Sequence, residues 1–414
     1  MTLSLEERWT LIDKISRETV TFGKYEHTLK DAIGELTVKP LTGIPVAIAI
    51  MYGFWSIFGS FAGTLMTDGF FVKLFDGYWL PWLQGAFPGQ GSWLYAIMVD
   101  AGGLESGEFV LSDTCFEAFG ALTSGIFVAI GVVLPAIFIF YLMLALLEDV
   151  GYMPRLAVLL DTVLHRVGLH GYAIVPTILS LGCNVPGVAA TRILETKKQR
   201  FIMMTLLAIF IPCGAQIGIM DTVVPDLMGW ILLYLIIGYF IFGYILNKVV
   251  PGKAPEFLID VPPYRKPLLN NIAKKVGGRI AGFFKVALPF VMLGCAIVNV
   301  MYLLGVIQWI GDAMAPIFVN WFGVPKETAG PLVAAFLRKD LAVAQLIALE
   351  DLMTPYQMIT AVVLITIYFP CVATFAMMLK EGWKELIASI GVLIIVVFTY
   401  GGLIHLIGIL LGVA

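Results

Sequence analysis

Charge is what this sequence has least of. Only 13% of its 414 residues are Asp, Glu, Lys or Arg, against 59% hydrophobic residues. A water-soluble chain of that length has no interior large enough to hide so much apolar surface, so a soluble globular protein is excluded. Histidine is scarce too, with 4 residues and neither an HxxxH nor an HxxE pair, which removes the usual imidazole metal cages. The 5 cysteines are odd in number, scattered and never in a CxxC pair. A disulfide framework is therefore not expected. There is no Walker loop, GxGxxG turn or GxSxG elbow. The chain is thus read as a non-enzyme with no catalytic residues and no GTP site, and no nucleic acid is expected as a partner.

Several uninterrupted apolar stretches reach the roughly 20 residues that a helix needs to cross a bilayer. The fold expected is an all-α polytopic membrane protein of about 7–9 membrane segments. Residues 1–40 form a polar segment with a capping-box pattern at Ser4 and Glu7, read as an amphipathic cytoplasmic N-terminus. Residues 41–117 hold a first span, over 41–65, and an outward-facing loop whose only cation is Lys73. Later spans are expected at 118–147, 201–221, 227–249 and 286–305, with a basic inside loop ahead of the last. Tyr172 to Ala190 is different: it is apolar, interrupted by Gly182, Pro186 and Gly187, and flanked by basic residues at both ends. If both flanks are inside, it must enter the membrane and come back, and its freed backbone must lie in protein or line a wet cavity. A single kinked crossing helix is the other reading.

The sequence also echoes itself. "VVLPAIFIFYLML" at Val132 is matched by "VALPFVMLGCAIV" at Val286, and "FIPCGAQ" at Phe210 by "YFPCVAT" at Tyr368. The offset stays near about 155 residues, as a duplicated unit requires. Loop charges give the two units opposite directions, so the expectation is an inverted repeat of two gate units with broken or re-entrant helices, 118–221 and 286–380. Residues 222–285 would form a connecting span and basic cytoplasmic loop, and 381–414 a C-terminal span. Inverted repeats with broken helices are the architecture of alternating-access carriers, whose sites lie near the midplane.

Cys183, Cys213 and Cys371 fall in the break motifs and would converge if the units pack face to face. Sulfur with carboxamide and backbone oxygen suits a transition metal better than magnesium or calcium. Cysteine is equally at home as a small apolar packing residue, and that reading stays open. Cys115 and Cys295 lack a motif context and read as structural. Asn184, Pro186, Gln216 and Thr374 accompany the three cysteines along the transport pathway, with Asp340 as the anionic group nearest the ion. Arg338 and Lys339 stand in mid-run, where an unpaired charge is costly, and are read as satisfying carboxylates or helix ends. Together with Glu148, Asp149, Arg155, Asp161 and Arg192 they are assigned to gating or partner docking.

"EDVGYMPRLAVLLD" followed by "GCNVPGVAATRILE" resembles the first gate motif of the FeoB ferrous-iron transporter family, and "LRKDLAVAQL" with "FPCVAT" resembles its second. The opening "KPLTGIPVAIAIMY" is also similar to that family's first span. The resemblance implies Fe(II) as the transported substrate and Cys183, Cys213 and Cys371 as pathway residues, the same three that the donor chemistry reads as metal ligands. It implies a multi-pass protein of the cell inner (plasma) membrane with a cytoplasmic N-terminus. Family members carry a GTP-binding domain and a small helical domain ahead of the membrane part, and neither lies in this sequence. A separate GTPase subunit on the cytoplasmic face is one explanation, a fragment of a longer protein the other; a homo-oligomer is left open. Two departures stand out: Gly214, Ala215 and Gln216 follow Cys213 where the family has serine-alanine-arginine, and Arg338-Lys339-Asp340 replaces a lysine-glutamate pair. The competing expectations are a carrier of nucleosides or another solute in the wider gate superfamily, and a non-transporting membrane scaffold.

Overall fold

The computed structural model describes residues 29–87, 92–100, 114–115, 120–252, 264–336 and 339–412, together with Thr10, Lys14, Ile15, Glu18 and Thr19. Among the described residues the chain is helical, without β-strands. Short α1 (Leu29–Val38) turns into α2 (Pro40–Ile57), and π-helical turns at Phe58–Val72 and Phe75–Trp79 carry the same rod on to Ala86. The first span therefore runs well past its expected end at Leu65. Asp68 and Asp76 do not stop it, because a helix tolerates a charge that finds a partner: the Asp76 carboxylate accepts the Cys115 backbone N–H at 2.8 Å. Most of 1–40, with the capping-box pair Ser4 and Glu7, and residues 88–91, 101–113 and 116–117 of the acidic loop lie outside the described residues.

The chain then builds α3 (Leu134–Val150), α4 (Tyr152–His165), α5 (Ile174–Gly182), α6 (Asn184–Ala190), α7 (Lys197–Phe210), α8 (Gly214–Val223) and α9 (Met228–Val249). A second series follows: α10 (Leu269–Leu303), α11 (Val306–Ile317), α12 (Ala329–Ala334), α13 (Lys339–Gln345), α14 (Pro355–Ile367), α15 (Val372–Glu381) and α16 (Trp383–Leu411). Six helices among the described residues are long and apolar enough to cross a membrane, and the protein is a polytopic membrane protein. α10 starts earlier than the sequence suggests, since the basic stretch before Lys285 is already helical. Its 35 residues at about 1.5 Å each exceed a hydrocarbon core of about 30 Å, so the end bearing Lys274, Lys275 and Arg279 projects beyond it.

The break at Cys183 is a reversal. Its backbone is extended (φ −157°, ψ 131°) between α5 and α6. On a straight helix Ser180 and Gly187 would stand about 10 Å apart. Instead Gly187 lies against Ser180 so closely that a Cβ would strike the serine side chain. α5 and α6 are the arms of a re-entrant hairpin that doubles back on itself, with its turn half-buried in protein. α12 and α13 pack on one another as a second pair.

Reciprocal contacts relate the two series. α6 packs on α15 and α8 on α13, while α7 and α14 each touch both α9 and α16. Left-handed glycines mark matching corners: Gly151 (φ 87°) and Gly305 (φ 67°) precede the amphipathic α4 and α11, and Gly168 (φ 78°) and Gly323 (φ 67°) follow them. Thr196 and Thr354 cap α7 and α14 in the same manner, each accepting a first-turn N–H at 3.2 Å. α3 and α10 lie antiparallel, since Glu148 and Asp149 at the end of α3 meet Lys275 near the start of α10. The two units are inverted. α7 and α14 form their common centre, with Ile202, Met203, Leu206, Leu207 and Phe210 fully enclosed on α7 and Val362, Val363 and Ile365 on α14.

Candidate functional site at the broken helices

Three of the four half-helices that start inside the protein begin directly after a cysteine. Cys183, Cys213 and Cys371 occupy the N-cap positions of α6, α8 and α15, and none makes a side-chain cap hydrogen bond. First-turn N–H groups at such ends favour electron-rich neighbours. Cys183 lies within electrostatic range of both other thiols, and Cys213 within range of Cys371, Asp340 and Lys339. The hairpin turn is held close to this region by its backbone: Gly214 sits against the carbonyls of Leu181 and Gly182. In the second unit the Val372 N–H donates to the Phe336 carbonyl at 3.1 Å. Among the described residues no three His, Cys, Asp or Glu side chains gather closely enough to hold a metal ion. The thiols surround a region without closing a cage.

Oxygen atoms complete that region. Pro212 and Pro370 have no N–H, so the carbonyls four residues earlier, of Ala208 and Thr366, lose their helical donors. One side chain serves both: the Lys339 ammonium donates to the Ala208 carbonyl at 3.2 Å and to the Thr366 carbonyl at 2.5 Å. Lys339 is 5% exposed and Asp340 6%. The lysine thus pins the C-terminal ends of α7 and α14, where the helix dipole favours a cation. Asn184 donates through Nδ2 to the Ile211 carbonyl at 3.2 Å, and Gln216 through Nε2 to Thr366 Oγ1 at 2.7 Å. Both are buried, and Asn184 Oδ1 and Gln216 Oε1 have no hydrogen-bond partner among the described residues. Thr374 is fully enclosed, with Oγ1 3.1 Å from Cys371 Sγ. Pro186 lies in the first turn of α6, where a missing N–H costs nothing.

The residues assigned to docking have partners inside the chain. Lys275 bonds Asp149 at 2.7 Å and Glu148 at 3.3 Å, and Arg279 reaches Glu148 at 3.4 Å. The Asp149 hydrogen bond, reinforced by Glu148, raises the Lys275 ammonium above its ordinary pKa against the opposing effect of burial. Arg155 is buried, donates to the Gly151 carbonyl at 3.0 Å and stacks 3.7 Å over the Tyr264 ring. Asp161 accepts the Gly171 N–H at 2.7 Å. Arg192 forms a two-point pair with Glu381, which raises the guanidinium pKa. Arg338 lies outside the described residues. Sequence reasoning missed the carbonyls of Ala208 and Thr366 and the Thr366 hydroxyl. The two prolines were the available signal, since each frees the acceptor one turn back.

A membrane protein built from two inverted units with paired broken helices is the class these features define. The chain matches the Gate family, described as nucleoside recognition, over residues 116–224 and 284–383, and the ferrous iron transport protein B C terminus over 227–279. It belongs to the Gate family, and its similarity to ferrous iron transport protein B covers the segment between the two Gate matches. Curated relatives include the Fe(2+) transporter FeoB of Methanocaldococcus jannaschii, 25% identical over 98% of this chain and 63% of that protein. That of Campylobacter jejuni is 29% identical over 71% of this chain and 45% of that protein. A Fe(2+) transport protein A/Fe(2+) transporter FeoB fusion protein of Porphyromonas gingivalis is 26% identical over 71% and 33%. The chain spans about half the length of the curated relatives it matches. No solved structure matches it.

Proposed function

We propose that this chain is the membrane component of a ferrous-iron carrier, in which Fe(II) passes between the two units at the level of the helix breaks. The observation that carries the reading is the placement of Cys183, Cys213 and Cys371 at the N-termini of inward-starting half-helices, beside unpartnered carboxamide oxygens. Thiol sulfur with amide and carbonyl oxygen forms an exchangeable set suited to a borderline transition metal. Asp340 supplies negative charge near Cys213. The names of the relatives support iron as the cargo.

The basic end, with Arg192, Lys197, Lys198, Arg200 and Lys274, faces the cytoplasm by the positive-inside rule, in the inner (plasma) membrane. A GTP-hydrolysing partner would dock there, and any hydrolysis would occur on it. Such a partner reaches the site through the end of hairpin α5–α6, where Arg192 holds Glu381 of α15.

A second reading is favoured by one observation. Buried amides with a free oxygen, Asn184 and Gln216, are also the groups that read a nucleobase edge. Liposomes containing the purified chain separate the two. Accumulation of Fe(II) under reducing conditions without uptake of labelled nucleosides supports the iron reading; nucleoside uptake without Fe(II) uptake replaces it.

A further inference from the structure

The bridge between α7 and α14 is itself a cation site, and it is filled by the protein. Its acceptors are two carbonyls deprived of helical donors by prolines in equivalent places, at the negative ends of two half-helices. Uncovered, each would be a buried unpaired acceptor, a condition that folded proteins avoid. Each proline is followed at once by a cysteine, so the carbonyl site adjoins the thiols Cys213 and Cys371. The lysine charge lies within electrostatic range of both of those sulfurs. A divalent cation held at the thiols would face an ammonium in a buried setting of low dielectric, where like charges repel strongly. The unpartnered Asn184 Oδ1 and Gln216 Oε1 are acceptors in the same neighbourhood that the lysine does not use.

We infer that Lys339 is a built-in competitor of the transported cation: its ammonium closes the empty carrier across Ala208 and Thr366 and must leave when a divalent ion binds beside Cys213 and Cys371. The inference rests on the cation-carrier reading above. It gives Lys339 two measurable effects of opposite sign. Binding of the ion is weakened, because part of its affinity goes into displacing the lysine. Return of the empty carrier is assisted, because the tethered charge replaces the departed ion at the helix ends. Lys339 is a positioning residue, since it acts by holding α7 and α14 and not by touching the cargo.

The test uses the full chain, purified and reconstituted, with Fe(II) kept reduced under nitrogen as the probe. In Lys339→Met, equilibrium Fe(II) binding should tighten by roughly tenfold, the gain expected when a competing state is removed. Net uptake should fall, while exchange of external for internal Fe(II) persists. A lysine serving only as a helix clamp would instead lower binding, uptake and exchange together. Lys339→Gln provides a second route that keeps a hydrogen-bond donor at the two carbonyls but removes the charge, and it should likewise tighten Fe(II) binding. Unchanged or weaker binding in Lys339→Met overturns the inference, as does unchanged or weaker binding in Lys339→Gln should the methionine variant fail to fold. If the unmodified chain binds no Fe(II), the carrier reading falls and takes this one with it. If the chain binds and transports Fe(II) but neither variant shifts affinity, only the competitor role is lost.

Discussion

Arg192 and Glu381 join the two units at the basic end, with Arg192 Nε 2.8 Å from one carboxylate oxygen and 3.0 Å from the other. Arg192 follows the second arm of the first hairpin, and Glu381 ends α15, so the pair ties together elements that a carrier must separate. The guanidinium side is largely exposed, which limits its stabilising effect to about 0–1 kcal/mol. Arg192→Glu is therefore expected to leave the thermal midpoint nearly unchanged and to speed hydrogen exchange over residues 191–196 and 372–381. The double swap Arg192→Glu with Glu381→Arg should restore slow exchange. Equal exchange in all three proteins would deny the latch.

The hairpin reversal depends on a glycine meeting a serine. Gly187→Ala places a Cβ in the Ser180 side chain and should destabilise the fold by about 1–3 kcal/mol, the usual cost of overpacking. Ser180→Gly in the same chain should recover part of that loss. Denaturant melts in detergent measure both, and a Gly187→Ala protein as stable as its parent would mean that the two arms do not meet.

The thiols should differ in reactivity. Burial, with Asp76 beside it, pushes the Cys115 thiol well above its ordinary range, so it holds almost no thiolate at neutral pH. The raised value means that its labelling by maleimide should start only under strongly alkaline conditions. Cys183, Cys213 and Cys371 are only partly buried. They should label faster than the fully enclosed Cys115 at any given pH and be protected by Fe(II) or Cd(II), as read by mass spectrometry. Fast labelling of Cys115, or no protection of the other three, would count against this assignment.

The α3–α10 clamp has a defined pH window. Lys275 is raised in the folded protein, so its contribution is fully present below the ordinary lysine value of about 10.4 and is lost only as pH climbs through the higher folded value. From the lysine, melting should thus be flat between pH 7 and 9. Lys275→Glu should lower stability across that window and reverse its salt dependence, since salt screens the new repulsion with Glu148 and Asp149. A midpoint unaffected by Lys275→Glu would place no weight on the clamp.

How much of this was legible in the sequence varies from element to element. Apolar content, the duplicated Pro-Cys motifs and the glycines around Cys183 announced a polytopic fold with a broken helix, because each acts through local chemistry. The first helix continued past Leu65 because a charged residue ends a membrane span in a hydropathy profile but not a helix. Glu148, Asp149, Arg155 and Arg192 looked available for a partner, since sequence gives charge and omits the distant residue that neutralises it. Lys339 is the sharpest case. Either proline alone predicts an orphan carbonyl one turn back, yet only the meeting of α7 and α14 lets one ammonium satisfy both.

Iron uptake by paired cysteine variants decides whether the thiols at the helix breaks line the path of the ion. In liposomes containing the full chain, Cys183→Ser with Cys371→Ser should cut the initial rate of Fe(II) uptake on the order of tenfold or more, since even indirect changes around metal ligands cost about that much. Cys115→Ala, far from the breaks, should transport at the parental rate. Parental Fe(II) uptake by a folded protein lacking both Cys183 and Cys371 would contradict the account.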